Sequence, residues 1–423
     1  YRLAQKQRRT ALSGDVVDYK TLTLKPNKMQ LSFISNLEEI VSMGEDRALL
    51  VSATGTGKTY ASAFAVREME PEKVLFIVHR EQIAKQALES YRHVFGPKKT
   101  YGLISGNSKE DKNFDADIVF ATMQMMAKED VRRRFDPRYF DAIIIDEAHR
   151  TGAASYKYIM DYFKPKLYLG MTASPERTDG FDVFSLFDHN IAYEIRLQQA
   201  LEEDMLCPFH YFGITDLVVD GVTVDDQTAV RNFSYLVCED RVEHIIKQAD
   251  YYGYCGDNLK GLIFVSRREE GRILSDKFNE RGFRTVFLGA DSTQAERERY
   301  VELLSRDASE DEYLDYIFTV DIFNEGIDIP QINQVIMLRP TQSPIVFVQQ
   351  LGRGLRKAEN KEYVVVLDFI GNYTNNFMIP MALFGDRTYN KDNVRRYVTE
   401  GSKVLPGAST IHFDEISKKR IFT

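Results

Sequence analysis

Short runs of apolar residues recur along the first half of the chain, and each is followed by a mixed segment with the pattern of a helix. The runs are "RALLVSA", "KVLFIVH", "DIVFATM", "DAIIIDE" and "KLYLGMT". A strand without alternating polar positions is buried on both faces, as in a parallel sheet with helices on either side. The first half therefore predicts such a sheet.

A second set of apolar runs follows after a gap: "GLIFVSR", "RTVFLGA", "DYIFTV", "QVIMLRP" and "YVVVLDF". The chain is therefore predicted to be an α/β protein with two mostly parallel sheets in tandem. Between them, "TDLVVDGVTVDDQ" is predicted as an acidic loop and "YLVCEDRVEHIIKQADYYG" as a helix. A small separate subdomain in this region remains an alternative.

These patterns predict five segments along the chain. They are an N-terminal extension (1–20), a first domain (21–195), a linker with the entry to the second domain (196–257), the second domain (258–388) and the start of a further C-terminal segment (389–423).

Composition limits the possible partners. The 423 residues carry a formal net charge of −8, so any nucleic-acid site must be local rather than the result of an overall positive charge.

The three cysteines, Cys207, Cys238 and Cys255, lie far apart and predict a reduced chain without disulfides or structural metal. Neither a membrane span nor a signal peptide is evident, so we expect a soluble cytoplasmic protein without a membrane partner. The first residue, Tyr1, and the end "SKKRIFT" suggest a piece of a longer chain.

The stretch "LVSATGTGKTY" joins a predicted strand to a predicted helix through a glycine turn. Gly55 and Gly57 allow the backbone N–H groups to point at phosphate oxygens, near the positive end of the helix. Lys58 would neutralise phosphate charge and Thr59 would ligate Mg²⁺. The predicted nucleotide-binding residues are Thr54, Gly55, Thr56, Gly57, Lys58 and Thr59. The alternative is a glycine turn with a surface lysine.

Two adjacent carboxylates follow the buried run in "IIIDEAHR". Ligands of open α/β sheets bind at such carboxyl ends of strands. Asp146 would hold Mg²⁺, and Glu147, which points elsewhere, would orient and deprotonate the attacking water. The alternative is a solvated acidic turn or a helix cap.

The segments "ATGTGKT" and "DEAH", in this order, resemble motifs I and II of the superfamily 2 helicases. One departure is Ser52, which stands where the full phosphate-binding pattern has its first glycine. The resemblance extends over roughly Leu24 to Asn372 and implies two RecA-like domains that use ATP and Mg²⁺.

Further motifs carry the resemblance. Upstream of motif I, Gln30 would contact adenine, with an exposed helix residue as the alternative. In "GMTASP", which resembles motif III, Thr172 and Ser174 would couple hydrolysis to movement together with His149 of motif II.

The second half contains "FTVDIFNEGIDIP" and "QQLGRGLRK", which resemble motifs V and VI. The resemblance places Gly326 and Asp328 near the nucleotide. It implies that Gln349 couples hydrolysis to movement and that Arg353 and Arg356 stabilise the charge of the transition state. The predicted catalytic residues are Lys58, Glu147, Arg353 and Arg356.

Motif resemblance also places nucleic-acid contacts in motifs Ia, Ib and IV and in "STQAERER". The residues are His79, Arg80, Thr122, Ser266, Arg267, Gln294 and Arg297. Their hydroxyl, amide and cationic groups are of the kind that binds phosphate oxygens rather than bases. Each could instead be a solvated surface group or a helix cap.

The motif variants resemble those of the bacterial DNA-dependent group, which includes type I and type III restriction motors and excision-repair helicases. The resemblance implies an ATP-driven translocase or helicase that acts on DNA rather than RNA, with additional nuclease-like or regulatory domains as further partners. One alternative is a duplex sensor that hydrolyses ATP without unwinding. A scaffold that only binds nucleic acid is disfavoured, because all the chemical residues are present.

Overall fold

The computed structural model of the protein describes the chain in several ranges. They are residues 24–106, 113–150, 154–173, 181–216, 233–320, 329–339, 354–370 and 408–415, with a few single residues and pairs between them. The chain divides into two compact units. One unit comprises the described residues up to Leu50 together with Gly57–Glu194, and the other comprises Val51–Thr56 and the described residues from Ile195 onward.

Seven strands form the first sheet. In chain order they are β1 (Arg47–Ser52), β2 (Val74–Val78), β3 (Tyr101–Ile104), β4 (Ile118–Thr122), β5 (Ala142–Asp146), β6 (Leu167–Thr172) and β7 (Ile191–Ile195). Their spatial order is β3-β4-β2-β5-β6-β1-β7. The neighbouring pairs from β3 to β6 are parallel. Every residue of β2, β4, β5 and β6 is buried, as the unbroken apolar runs predict.

Helices precede β1 and follow most of the other strands of this sheet in the described residues. They are α1 (Lys28–Ser42), α2 (Lys58–Met69), α3 (Glu81–Phe95), α4 (Met123–Met126), α5 (Glu129–Arg132) and α6 (Ala154–Tyr162). Helix α2 is buried without a break over 61–66. Three of these six residues are alanine and one is serine, and such small side chains allow close packing. Short 3₁₀ turns cover Gly96–Lys98, Ala148–Arg150 and Phe184–Phe187.

The second sheet also has seven strands. They are β8 (Phe209–Thr215), β11 (Gly261–Phe264), β12 (Thr285–Leu288), β13 (Tyr316–Thr319), β14 (Gln334–Met337), β15 (Val364–Ile370) and β16 (Thr410–Phe413). Their spatial order is β12-β13-β11-β14-β15-β8-β16, and every neighbouring pair is parallel. Among the described residues of this unit, the helices are α7 (Leu197–Glu202), α8 (Glu239–Tyr252), α9 (Arg268–Glu280) and α10 (Gln294–Ser305), and a 3₁₀ turn covers Phe233–Val237. Two parallel α/β sheets in tandem, each with helices, confirm the predicted fold class.

Two strands of the second sheet lie outside the range 258–388. Strand β8 falls in the segment predicted as a linker and pairs with β15. Strand β16 falls in the predicted C-terminal segment and pairs with β8. Buried and partly exposed positions alternate in both strands, so neither forms the unbroken apolar run on which the predicted boundaries depend.

The stretch predicted as an acidic loop contains a short antiparallel pair, β9 (Val218–Val219) with β10 (Val222–Thr223). The predicted helix that follows it is present as α8. No helix in the described ranges is long and apolar enough to span a membrane.

Candidate active site

The turn after β1 depends on two glycines. Gly55 has a φ of 92° and Gly57 a φ of 90°, values at which a side chain would strain the backbone. Between them, Thr56 is buried and its hydroxyl donates a hydrogen bond to the Ala53 carbonyl oxygen at 2.7 Å. The Thr56 side chain therefore braces the turn from inside.

Helix α2 begins immediately after this turn, with Lys58 and Thr59 as its first residues. The first N–H groups of a helix have no partner within the helix, and they attract anions. Lys58, Thr59 and Thr54 are half-buried. A lysine, a hydroxyl and the N-terminus of a helix in one place suit a phosphate group.

Gln30 lies in the first turn of α1 and is 5% exposed, so the alternative of an exposed helix residue is wrong. Its side chain completes a capping box with Asn27: the Asn27 N–H donates to Gln30 Oε1 and the Gln30 N–H donates to Asn27 Oδ1, both at 2.9 Å. Gln30 Nε2 lies 3.5 Å from the Gly57 carbonyl oxygen. The amide therefore reaches the glycine turn after β1 while it caps its own helix.

Asp146 ends β5 and is buried. Burial, and next the negative charge of Glu147, raise the pKa of Asp146 to about 7, while the Lys58 ammonium lowers it. Lys58 and Asp146 are therefore close enough to interact electrostatically. Any further cation at this position would also favour the charged carboxylate.

Glu147 directly after the strand has a φ of 52°, in the left-handed region. Non-glycine residues seldom adopt this conformation, and it often marks functional sites. The Glu147 N–H donates to Asp146 Oδ1 at 3.0 Å. The turn thus separates two successive carboxylates into different environments.

His149 connects the acid pair to the next strand. Its Nδ1 lies 3.1 Å from the Thr172 hydroxyl and 3.3 Å from Glu147 Oε2. Thr172 ends β6, which pairs with β5 so that Asp146 lies opposite Met171. One imidazole nitrogen therefore contacts both the acid pair and the end of the neighbouring strand.

Parallel pairing brings the predicted residues of this unit to one edge of the sheet. Thr122 ends β4 opposite Val78, and His79 and Arg80 follow directly after Val78. Strand β2 in turn pairs with β5. Along this edge the three predicted nucleic-acid residues therefore lie near the acid pair. Thr122 is buried and is the N-cap residue of α4, but its side chain makes no capping hydrogen bond.

In the second unit, Ser266 and Arg267 form the turn between β11 and α9. Gln294 is the first residue of α10, and its amide donates to Glu298 at 2.7 Å. Arg297 donates from Nη2 to the carbonyl oxygens of Gly289 and Ala290 at 3.1 and 3.2 Å. Since β11, β13 and β12 are parallel, these residues lie at the same edge of the second sheet.

Five predicted site residues lie outside the described part of the chain: Ser174, Gly326, Asp328, Gln349 and Arg353. Arg356 is described and is half-buried.

The donor set around Asp146 fits a magnesium nucleotide. Mg²⁺ prefers hard oxygen donors and is usually held by one or two protein groups, with phosphate and water completing its coordination. Thr59 and Asp146 would supply such oxygens. Within the described ranges, no group of three or more His, Cys, Asp or Glu side chains could hold a metal ion by itself.

A cavity of about 350 Å³ lies in the first unit, away from this site. It is lined by α1, by the C-terminal half of α2 and by the amino ends of β5 and β6, including Ala142 and Leu167. Asp146 and Thr172 end the same two strands at the opposite edge of the sheet. The cavity therefore contains none of the predicted site residues.

Glu270 is absent from the residues that the sequence motifs predict, although its carboxylate accepts hydrogen bonds from the Ser266 and Arg267 N–H groups. The sequence feature that could have indicated this contact is the position of Glu270, three residues after Arg267 at the start of a predicted helix, where a glutamate often accepts a hydrogen bond from the N-cap backbone.

Comparison with protein families gives two matches in tandem. Residues 23–177 match the family described as type III restriction enzyme, res subunit. Residues 242–358 match the helicase conserved C-terminal domain.

Curated relatives extend over most of the chain. The Saccharomyces cerevisiae protein IRC3, whose name assigns it to the ATP-dependent helicases, is 26% identical over 82% of this chain and 52% of its own length. The type I restriction enzyme EcoAI endonuclease subunit of Escherichia coli is 26% identical over 81% of this chain and 46% of its own length. The chain thus spans about half the length of these relatives.

Solved structures share the fold. The type ISP restriction-modification enzyme LlaBIII bound to DNA covers 94% of this chain and 32% of its own, with a TM-score of 0.67 and 18% identity. Saccharomyces cerevisiae Dbp5 bound to RNA and ADP BeF3 covers 94% of each chain, with a TM-score of 0.61 and 16% identity.

Proposed function

Because the chain belongs to superfamily 2 of the helicases, we propose that it is an ATP-driven translocase or helicase that moves along DNA. The observation that carries the proposal is the edge of the first sheet, where Lys58 and the buried Asp146 interact beside Glu147. In-line phosphoryl transfer needs a phosphate cradle, a magnesium ligand and a group that positions water. The proposal assigns these roles to the turn with Lys58, to Asp146 with Thr59, and to Glu147.

Bound Mg²⁺ would neutralise charge on the phosphate oxygens as the bond to the leaving group breaks. Lys58 would hold the phosphate oxygens. Glu147 would accept a proton from the attacking water, and its contact with His149 holds its carboxylate in place. Arg353 and Arg356 are proposed, on motif resemblance, to supply positive charge to the transition state.

Movement requires that hydrolysis change the affinity for the polymer. The contact between His149 and Thr172 supports a route for this coupling, since it joins the hydrolytic pair to the end of β6. We propose that the predicted contacts at the edges of both sheets bind the phosphate backbone without reading bases. Affinity should then fall as salt rises, because binding releases counterions.

The preference for DNA is supported by the relatives. The first domain matches a restriction-enzyme subunit family, and the curated relatives include type I restriction subunits. Some relatives are named as RNA helicases, including SrmB of Haemophilus influenzae, 24% identical over 76% of this chain. RNA is therefore the competing polymer that an experiment must include.

Steady-state ATPase assays would test the proposal. Wild type and Glu147→Gln would be compared without polymer and with single-stranded DNA, duplex DNA or duplex RNA, at one low salt concentration. Glu89→Gln, at an exposed position on α3, controls for the same chemical change away from the site. We expect stimulation by DNA in wild type and in Glu89→Gln, and its loss in Glu147→Gln with nucleotide binding retained.

The other outcomes decide between alternatives. Stimulation by RNA alone would overturn the DNA preference, and no stimulation by any polymer would overturn the motor. A strand-displacement and translocation assay then separates a motor from a duplex sensor. ATPase stimulated by duplex, without strand release or movement, would favour the sensor.

A further inference from the structure

Three charged side chains are completely buried together in the second unit. Arg241 of α8, Asp216 after β8 and Glu270 of α9 each have 0% side-chain exposure. Charged groups are seldom fully buried, and they persist only when paired and hydrogen-bonded. Here one cation is shared between two carboxylates.

Arg241 links its own helix, α8, to three other parts of the unit. Its Nη2 donates to Asp216 Oδ2 at 2.9 Å, and its Nε lies 3.3 Å from both oxygens of that carboxylate. Its Nη1 donates to Glu270 Oε1 at 3.1 Å and to the Leu236 carbonyl oxygen at 2.8 Å. The planar fork of the guanidinium makes this set of bonds possible, whereas an ammonium group could not span it.

Glu270 uses its other oxygen to hold the turn after β11. Its Oε2 accepts a hydrogen bond from the Ser266 N–H at 2.9 Å and from the Arg267 N–H at 3.3 Å. Ser266 itself is exposed, so the turn faces solvent while its backbone is tied to a buried carboxylate. The side chains predicted to meet phosphate therefore stand on a backbone that Glu270 fixes.

A second contact reaches the same turn from Arg241. The Leu236 carbonyl, which Arg241 binds, belongs to the 3₁₀ turn Phe233–Val237. Phe233 of that turn lies under the Arg267 guanidinium, 5.9 Å from ring centroid to Cζ. This distance is within the range of a cation–π contact. Arg241 therefore supports both the backbone and the side chain of Arg267.

We infer that Arg241 and Glu270 are positioning residues that set the geometry of the Ser266–Arg267 turn for binding the nucleic-acid backbone. This inference rests on the proposed function of that turn. Neither residue touches the polymer, since both are fully buried. They act through the N–H groups and the ring that hold Ser266 and Arg267.

A carboxylate is required at position 270. Its two oxygens face opposite ways, one towards Arg241 and the other towards two N–H donors. Glutamine offers a single acceptor oxygen, so Glu270→Gln must leave one side without an acceptor.

Asp216→Asn is the first control. It breaks the same buried cluster, but on the side of Arg241 that faces away from the turn, so the two substitutions are matched in burial.

Arg281→Gln is the second control. Arg281 joins α9 to Glu243 of α8 at 2.7 Å on the surface, so its loss weakens the contact between the same two helices without involving the turn. Circular dichroism and thermal melts would show that each variant is folded at the assay temperature.

The experiment measures binding of fluorescent single-stranded and duplex DNA by anisotropy, without ATP, over a range of salt. We expect Glu270→Gln to raise the Kd about tenfold, the effect of losing one charge-assisted hydrogen bond. Asp216→Asn should melt at a lower temperature but raise the Kd less than threefold, and Arg281→Gln should bind as wild type does. An equal rise in Kd for Glu270→Gln and Asp216→Asn would mean that the cluster only stabilises the fold, and would overturn the inference.

Hydrogen exchange of wild type and the same variants provides a test that does not depend on DNA binding. Ser266 and Arg267 amides should exchange slowly despite the exposed turn, because both are bonded to Glu270. In Glu270→Gln the peptide that contains them should exchange about tenfold faster, while Asp216→Asn leaves it nearly unchanged. Fast exchange of both amides in wild type would contradict the inference. Slow exchange in a wild type that binds neither DNA nor RNA would instead overturn the proposed function of the turn.

Discussion

His149 Nδ1 and the Thr172 hydroxyl lie 3.1 Å apart, although 23 positions separate them in the chain. The contact exists because β5 and β6 are parallel neighbours, which brings the residues after one strand beside the last residue of the other. The same nitrogen lies 3.3 Å from Glu147 Oε2. A change at the acid pair can therefore reach β6 through a single imidazole.

Removing this hydrogen bond should reduce turnover more than nucleotide affinity. We expect His149→Ala and Thr172→Ala each to lower DNA-stimulated turnover about fivefold, the effect of about 1 kcal/mol. The double variant should be little worse than the more affected single variant, because the shared bond is lost only once. Steady-state ATPase at saturating DNA and ATP, combined in a double-mutant cycle, measures this.

His93→Ala is the control, because His93 also faces a hydroxyl, that of Tyr60 at 3.3 Å, but on the exposed part of α3. It should leave turnover unchanged. Fully additive losses in the two single variants would show that His149 and Thr172 act independently.

Lys58→Ala should weaken nucleotide binding. The residue begins α2 after the glycine turn and interacts with the buried Asp146, so its loss removes a cation from the proposed phosphate site. We expect the Kd for a fluorescent ATP analogue to rise about tenfold or more. Lys85→Ala, at an exposed position paired with Glu81 on α3, should bind as wild type does. Equal affinity in Lys58→Ala and Lys85→Ala would contradict the assigned role of Lys58.

Gln30→Ala tests the proposal that Gln30 recognises adenine in addition to capping its helix. Gln30 and Asn27 share one capping box, but only Gln30 reaches the Gly57 carbonyl oxygen. Asn27→Ala should therefore lower the free energy of unfolding by about 1 kcal/mol and leave the preference for ATP intact.

Gln30→Ala, unlike Asn27→Ala, should reduce the affinity for ATP relative to GTP, because it removes the amide that would bind the base. Competition binding with the two nucleotides measures the ratio. If Gln30→Ala and Asn27→Ala change the ratio equally, the residue is a cap and nothing more.

Much of the fold was predictable because burial leaves a direct trace in a parallel sheet. All ten unbroken apolar runs form strands, from β1 to β15. The pattern missed the short pair β9 and β10. In the two seven-stranded sheets it also missed β3, β7, β8 and β16, where buried and exposed positions alternate or the residues are mixed. Three of these lie at sheet edges, where one side of the strand has no neighbour and the demand for apolar residues is weaker.

The position of a candidate residue in the fold was predictable where the residue follows a strand directly in the chain. Lys58, Asp146 and Glu147 each lie within a few residues of a strand end, so local sequence was enough to place them. The contacts that join Gln30 to Gly57 and His149 to Thr172 depend on which elements become neighbours. The burial of Arg241 was not predictable, because a charged residue in a helix pattern is normally read as a solvated position.

Asp368 on β15 should make stability depend on pH. The side chain is buried, and burial raises its pKa from 3.8 to about 7, while the hydrogen bond from Tyr211 lowers it. Between about pH 4 and 7 the native protein therefore keeps a proton that the unfolded chain has released. The protonated Asp368 side chain therefore contributes about 4 kcal/mol to the free energy of unfolding at low pH. This contribution is lost as the pH rises to about 7.

Asp368→Asn removes this titration, since an amide stays neutral throughout. Thermal melts of both proteins from pH 5 to 8 should show wild type losing stability relative to Asp368→Asn as pH rises, with the difference constant above about pH 8. Tyr211→Phe should extend the decline to higher pH, because it removes the donor that favours the charged carboxylate. Asp311→Asn, at an exposed position, should follow wild type. Parallel curves for wild type and Asp368→Asn would mean that Asp368 is charged in the native protein across this range, with the Tyr211 hydrogen bond outweighing burial.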